Sequence, residues 1–269
     1  LAFAERKPGA QFRESLPYVP GAAVFGALGR LLADAGRFDE VLLRALRCRN
    51  AYPMQTGDTL VAPLPLTALR PKGDKDAPVV DALVARVCWE RQQPPALIYL
   101  PTDDGGRPWE HPGWRFYALE RGVPAERLVQ QRVLTRVAIN RRRGTAEDQR
   151  LYSPIVLTEA TYDRRSDVVE PSRFLGSLTV EAGYAEAVSA LLPTLRALGG
   201  RQSTGLGAVT VEPTPQEGPS STVRERVDLL TERFQAQAAS YERLGGDEWR
   251  LPRRSIFTVN LLSDALLLD

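Results

Sequence analysis

The spacing of hydrophobic positions changes several times along the chain, and each period predicts an element. In "YVPGAAVFGALGRLLADAG", Val24, Leu28, Leu31, Leu32 and Ala35 recur at helical spacing, with Arg30 and Asp34 off the stripe. The pattern predicts a helix that opens from a turn at residues 18–21. Gly26 and Gly29 lie inside it, at a cost of roughly 1 kcal/mol each relative to alanine. Their presence leads us to expect another backbone, of protein or nucleic acid, passing close by. Further on, Val188, Leu191, Leu192, Leu195 and Leu198 fall at i, i+3, i+4, i+7 and i+10, one apolar stripe of a second helix. Pro193 is expected to kink it, and Gly199 to supply the left-handed position that stops it.

Strand patterns lie between and after these helices. "PALIYL" (95–100) and "RVAIN" (136–140) read as strands, and the loop between them carries Trp109 and Trp114. "SRFLGSLTVEA" (172–182) alternates in part, with Leu178 and Val180 facing one way and Ser177, Thr179 and Glu181 the other. "AVTVEP" (208–213) is β-branched and ends at Pro213, a short strand. Residues from about 50 to 81 are rich in proline and turn formers and read as an excursion from the domain. The order is helix, strands, strand, helix, strand, preceded by a strand partly lost at the N-terminus. That order predicts an α+β, ferredoxin-like (RRM-like) βαββαβ domain with large insertions over residues 1–212. Residues 213–220 read as a linker. Thr222 and Glu225 form a capping box for a helix carrying Val223, Val227, Leu230, Phe234, Ala238 and Tyr241, stopped by Gly245 and Gly246. "SIFTVNLLS" is a further strand, so residues 221–269 read as the start of a second, incomplete unit. The apolar "DALLLD" that follows is expected either to pack on something or to continue into more chain.

Composition narrows the class. With 43% hydrophobic and 25% charged residues, the chain is that of an ordinary globular protein. A net charge of +2 does not by itself predict nucleic-acid binding. Lysine occurs only at Lys7, Lys72 and Lys75, so the remaining positive charge is arginine. Arginine suits bidentate phosphate contacts and stacking on bases, and a GC-rich genome produces the same bias. Cys48 and Cys88 make no C-x-x-C pair, which points to buried free thiols rather than a zinc site or disulfides. No apolar run reaches the ~18 residues of a membrane span. "LAFAERKPGA" lacks a signal peptide and an initiator methionine, so we expect a cytoplasmic chain entered partway.

The run "LGGRQSTGLGAV" (198–209) has four glycines around an arginine, a serine and a threonine. Gly200 and Gly205 match the spacing of the Walker loop, yet Leu206 and Gly207 stand where it needs lysine and serine or threonine. The dinucleotide fingerprint fails as well, with Thr210 in place of its third glycine. Both motifs require strand, loop, helix, whereas the flanks here predict helix, loop, strand, which leaves no helix N-terminus for a nucleotide phosphate. The loop therefore reads either as a plain turn or as a strip of backbone amides from Gly199, Gly200, Gly205 and Gly207 with Arg201, Gln202, Ser203 and Thr204. Such a strip suits a sugar–phosphate chain. A second basic cluster, Arg136, Asn140, Arg141, Arg142 and Arg143, precedes a turn at Gly144 and is either a solvated hairpin or an RNA contact. Tyr18 and Tyr152 are candidates for stacking on unpaired bases or for core packing.

"PGAAVFGALGRLL", "RVAINRRRGTAEDQRLYSPIVL" and "LGGRQSTGLGAVTVE", in this order, resemble the RAMP superfamily of CRISPR-associated proteins. The shared pattern is a proline–glycine turn opening a helix (Gly21 here), then a basic strand and hairpin, then a glycine-rich loop between the last helix and last strand. "NAYPMQTGDTLVAPLPLTALRPK" and "FTVNLLSDALLLD" look like the type III-D RAMP subunit of the crRNA-end-capping group. The likeness covers most of the chain and departs at Phe25, where many members carry a basic or small residue. It implies an antiviral-defence subunit that holds the 5′ tag region of crRNA and touches the large polymerase-like subunit and a backbone RAMP.

The alternative within that superfamily is an endoribonuclease that processes crRNA or cleaves target RNA. Processing members commonly use histidine, and this chain has one, His111, in "WEHPGW". It has no partner at a recognisable spacing for acid–base work. Asp163 and Asp167 in "YDRRSDVVE" have the chemistry for metal-assisted cleavage, but beside Arg164 and Arg165 they read better as salt bridges on a solvated loop, and the same holds for Asp103 and Asp104. We therefore expect no catalytic residue, no metal and no cofactor.

Overall fold

A computed structural model of the chain describes residues 1–3, 12–54, 61–74, 77, 79–83, 86–87, 106–113, 116–118, 123–124, 129–140, 142–163, 167–216 and 222–239. Helices and small sheets are mixed in an α+β arrangement. The chain divides into two compact units, one built from residues 1–61 and 126–215, the other from 62–125 and 216–260. Among the described residues no helix is long and apolar enough to cross a membrane.

The first unit is organised around the 13-residue strand Thr145–Leu157. Phe12–Glu14 runs parallel to it, with Phe12 opposite Ser153 and Glu14 opposite Ile155. Gln131–Val133 runs antiparallel beside the same stretch, and Arg136–Asn140 pairs antiparallel further back, from Arg136 opposite Tyr152 to Asn140 opposite Thr145. Pro154 has no N–H to give, and strands tolerate proline only where a ladder bond is dispensable. Its carbonyl accepts from Leu134, in the break between the two neighbouring strands.

A parallel pair cannot be joined by a tight turn, and helix α1 (Gly21–Asp34) lies in the connection. Its start is fixed from outside: Gly21 N–H donates to Asn50 Oδ1 at 2.9 Å, and Val19 and Ala51 bridge alongside. The expected stripe is present at Leu28 and Leu32, which are buried, and at Val24 and Leu31, which are half-buried. Ala35 falls just past the helix and is exposed. The close backbone approach expected at Gly26 and Gly29 is at Gly21 instead. A Cβ there would collide with the Cys48 carbonyl, whereas one at Gly26 would meet nothing within 4 Å and one at Gly29 only the Leu43 side chain. A short helix, α2 (Glu40–Ala45), follows, capped by the Asp39 carboxylate accepting from Leu42 N–H at 3.0 Å.

The second apolar stripe is real as burial but not as one helix. Helix α3 spans Ala185–Leu191, a 3-10 turn takes Leu192–Thr194, and the chain is extended at Leu195. Pro193 is the physical cause, since it cannot donate back into the helix and its ring crowds the preceding turn. Val188 packs with Leu28, Leu32, Leu42, Leu43, Leu46 and Cys48, while Leu195 and Leu198 join a separate cluster with Phe3, Val19 and Leu157. Gly199 thus lies beyond the helix it was expected to stop. The predicted strand at 208–213 is reduced to one bridge, Ala197 with Ala208, because its backbone pairs with residues just before the loop. The segment 172–182 forms Phe174–Leu175 and Leu178–Thr179, paired with Tyr52–Pro53 and Arg47–Cys48. Leu178 and Val180 are half-buried there, and Ser177, Thr179 and Glu181 exposed.

In the second unit, Ala68–Pro71 pairs with Val80–Asp81 and Trp109–Glu110, and Phe116–Ala118 with Val123–Pro124 and the strand Val61–Pro63 at the unit's boundary. Helix α4 (Val223–Ala239) opens with the expected capping box: Thr222 N–H to Glu225 Oε2 at 2.7 Å and Glu225 N–H to Thr222 Oγ1 at 3.2 Å. Val227, Leu230 and Phe234 are half-buried along it, and Val223 is exposed. The expected strands at 95–100 and 255–263, together with Cys88, Trp114, Tyr241, Gly245 and Gly246, lie outside the described residues.

Two stability predictions follow from these contacts. Gly21→Ala is expected to lower stability by about 1–3 kcal/mol through forced overpacking, while Gly26→Ala raises it by about 0.5–1 kcal/mol; urea unfolding midpoints check both signs. Burial pushes the Cys48 thiol from 9.0 up to about 11. Between those values the unfolded chain has lost a proton that the folded chain keeps, so stability falls as pH rises through the window. Cys48→Ala is expected to remove that part of the alkaline decline, read as urea midpoints from pH 8 to 11.

Candidate functional site

The glycine-rich run forms a hairpin-like loop on a short stem. Leu198 N–H donates to the Gly207 carbonyl at 2.8 Å, Ala197 bridges Ala208, and Val209 N–H donates to the Arg196 carbonyl at 3.0 Å. Gln202–Thr204 makes a 3-10 turn at the tip. Left-handed backbone occurs at Gly199 (φ 83°), Arg201 (62°), Gly205 (82°) and Gly207 (98°). Two of these glycines are also sterically required: a Cβ at Gly199 would strike the Ala2 carbonyl, and one at Gly207 the Leu198 carbonyl. Arg201 is the unusual member, because a residue with a Cβ held at φ 62° carries strain that glycine would not.

The loop is held from two sides. Underneath, Gly200 N–H donates to the Ala2 carbonyl at 2.9 Å. From the hairpin, Arg136 Nη2 donates to the Thr204 carbonyl at 3.2 Å. Within the loop, the Arg201 carbonyl accepts from Thr204 N–H at 3.0 Å and Thr204 Oγ1 at 2.9 Å. The Gln202 carbonyl accepts from Gly205 N–H at 3.0 Å, and the Gly199 carbonyl from Gln202 Nε2 at 3.0 Å. These bonds turn the carbonyls of Gly199, Arg201, Gln202, Thr204 and Gly207 to internal use. The N–H groups of Gln202 and Ser203 and the Ser203 hydroxyl have no acceptor among the described residues, and both residues are exposed. The tip thus presents donors beside two half-buried arginines, Arg136 and Arg201. An anion or a carbonyl-rich chain fits such a surface better than a cation does.

The structure separates the second basic cluster that the sequence placed together. Arg136 begins its strand next to the loop, whereas Arg142 and Arg143 are exposed in the turn at 142–144, where Gly144 takes φ 63°. At about 3.3 Å per strand residue, Arg136–Asn140 runs roughly 13 Å before the turn that carries Arg142 and Arg143. Asn140 closes the strand opposite Thr145; Arg141 and the side chains of Asn140 and Tyr152 lie outside the description. Tyr18 is half-buried with its ring 5.8 Å from that of Tyr52, tilted by 53°. Gly21 is buried beneath Cys48, and its N–H is taken by Asn50.

The acid–base candidates are scattered. His111 is exposed in the second unit, and its Nδ1 accepts from Gly113 N–H at 3.1 Å. Asp167, at φ 53°, accepts from the Tyr162 hydroxyl at 2.7 Å. The Asp163 side chain, Asp103 and Asp104 lie outside the description. Among the described residues no three of His, Cys, Asp and Glu come together as a metal site. Sequence reasoning missed Ala2, whose backbone carries no compositional signal, and Asn50, whose role depends on a helix start far from it in sequence.

Gly199→Ala is expected to cost about 1–3 kcal/mol, since it adds a collision to a left-handed backbone. Gly200→Ala, whose Cβ would stand 3.9 Å from its nearest neighbour, is expected to stay within about 0.5 kcal/mol of wild type. Thermal unfolding of the two variants checks the contrast. Compared with known proteins, the chain matches no protein-family model and no curated sequence.

Proposed function

We propose that the protein is a non-catalytic RNA-binding subunit of a type III CRISPR effector complex, holding the 5′ tag region of crRNA. On this reading it works in the cytoplasm and joins the large polymerase-like subunit to the backbone RAMPs. The observation that carries the reading is the glycine loop: exposed amide and hydroxyl donors at 202–203, flanked by Arg201 and Arg136. Such a surface suits holding a phosphodiester chain by charge and hydrogen bonds.

The same reading makes the first unit a ferredoxin-like domain with large insertions. Support comes from the parallel pairing of Phe12–Glu14 with Thr145–Leu157, the antiparallel neighbour Arg136–Asn140, and helices in both connections. The last strand of that pattern is here shortened to the stem of the loop. Arg142 and Arg143 at the exposed hairpin turn supply a second contact along the RNA.

Arg201→Gly separates folding from binding. Glycine relieves about 1 kcal/mol of left-handed strain and gives up any contact of the Arg201 side chain, so the urea unfolding midpoint is measured beside binding. RNA affinity is expected to fall, with the slope of log K against log salt flatter by about 0.7, the share of one phosphate on a single strand. The measurement is fluorescence anisotropy of a labelled RNA carrying the 5′ tag, titrated with the full chain at several salt concentrations. Unchanged affinity and slope would remove the loop from the RNA interface. Cleavage of the RNA during the titration, lost in His111→Ala or Asp167→Ala, would establish the endoribonuclease reading instead.

A further inference from the structure

We infer that Arg136 is a positioning residue: it ties the hairpin to the glycine loop and sets the donor-bearing tip, without itself taking a phosphate. The inference rests on the RNA reading of the loop only for its second readout.

The tip at 202–205 makes few bonds beyond itself. The stem closes at Leu198 and Gly207, and the lower side is pinned where Gly200 meets Ala2. Past that point, among the described residues, the bonds of Gln202, Thr204 and Gly205 stay within the loop, with one exception, the Thr204 carbonyl accepting from Arg136. That carbonyl ends the 3-10 turn, where backbone acceptors run out of local donors and a cation is favoured. The other end of the tether is a paired strand: Arg136 pairs with Tyr152 and Val137 with Leu151, ahead of a register irregularity between Val137 and Ile139. The donor is a cation, which strengthens a hydrogen bond to a carbonyl, here exposed and 3.2 Å long. Arg136 is half-buried, unlike Arg142 and Arg143, which are exposed at the hairpin turn.

The test has two arms on the full chain. First, without RNA, hydrogen exchange at the Thr204, Gly205 and Leu206 amides is compared in wild type, Arg136→Ala and Arg136→Lys. Arg136→Ala is expected to speed exchange by roughly tenfold, the scale of a hydrogen bond to a charged donor, with the Leu198 and Val209 amides unchanged. Unchanged stem amides also show that the variant is folded. Arg136→Lys is expected to restore protection, because a single N–H suffices for a single carbonyl. Second, a single-stranded RNA carrying the 5′ tag is titrated across salt. Arg136→Ala is expected to weaken binding several-fold with the wild-type salt slope, since the number of neutralised phosphates stays the same. Unaltered exchange at the tip overturns the inference, and so does a slope flatter by about 0.7, which would make Arg136 a phosphate ligand. If wild type fails to bind RNA while exchange still responds to Arg136→Ala, the tether stands and the RNA reading falls.

Discussion

The strand Thr145–Leu157 carries hydrogen-bonding groups on both edges, and the first unit is the set of partners that satisfies them. One edge takes Phe12–Glu14 in parallel, which obliges the chain to make a crossover and gives α1 its place. The other edge takes Gln131–Val133 and Arg136–Asn140. At its buried end Leu157 exchanges both backbone hydrogen bonds with Leu1, at 2.9 Å each. The two anchors of the glycine loop trace back to this one strand. Leu1 brings Ala2 under Gly200, and the pairing with Tyr152 places Arg136 at Thr204. Loops seldom acquire a defined shape from their own residues, because ordering them costs entropy that local bonds alone rarely offset. Here the order comes from the sheet.

What was legible in the sequence was local. The capping box at Thr222 and Glu225, the strand at 136–140, the burial of Leu28 and Leu32, and the alternation from Ser177 to Glu181 all depend on neighbours within a turn or two. The second apolar stripe shows the limit of such reasoning. Leu195 and Leu198 sit at helical spacing from Val188 and are buried, yet Pro193 ends the helix and sends them into a different cluster. A period reports which positions are buried; it reports a helix only while the backbone can continue one. The glycines divide the same way. Gly26 and Gly21 look alike in sequence, and only the return of Cys48 over Gly21 distinguishes them. For the loop, the residue types were readable, but its anchors were not, since Ala2 and Arg136 are remote in sequence and one acts through its backbone.

The strain at Arg201 bears on why that residue stands where glycine would be cheaper. A non-glycine residue at φ 62° persists only when the surrounding bonds hold it there. Its carbonyl accepts from Thr204 and Leu206, so the left-handed turn is what folds the tip back on itself. Glycine would serve that geometry equally well. What arginine adds lies in its side chain, a guanidinium suited to bidentate contacts with a carboxylate or a phosphate.

The strand Arg136–Asn140 carries the chain from the glycine loop, which Arg136 tethers, to an exposed turn that holds Arg142 and Arg143, a run of roughly 13 Å in the strand alone. A mononucleotide cannot reach both ends. A ligand that engages the loop and the hairpin turn together must be a chain, extended along the ribbon and charged at regular intervals. The single-stranded RNA proposed above as the ligand has that form.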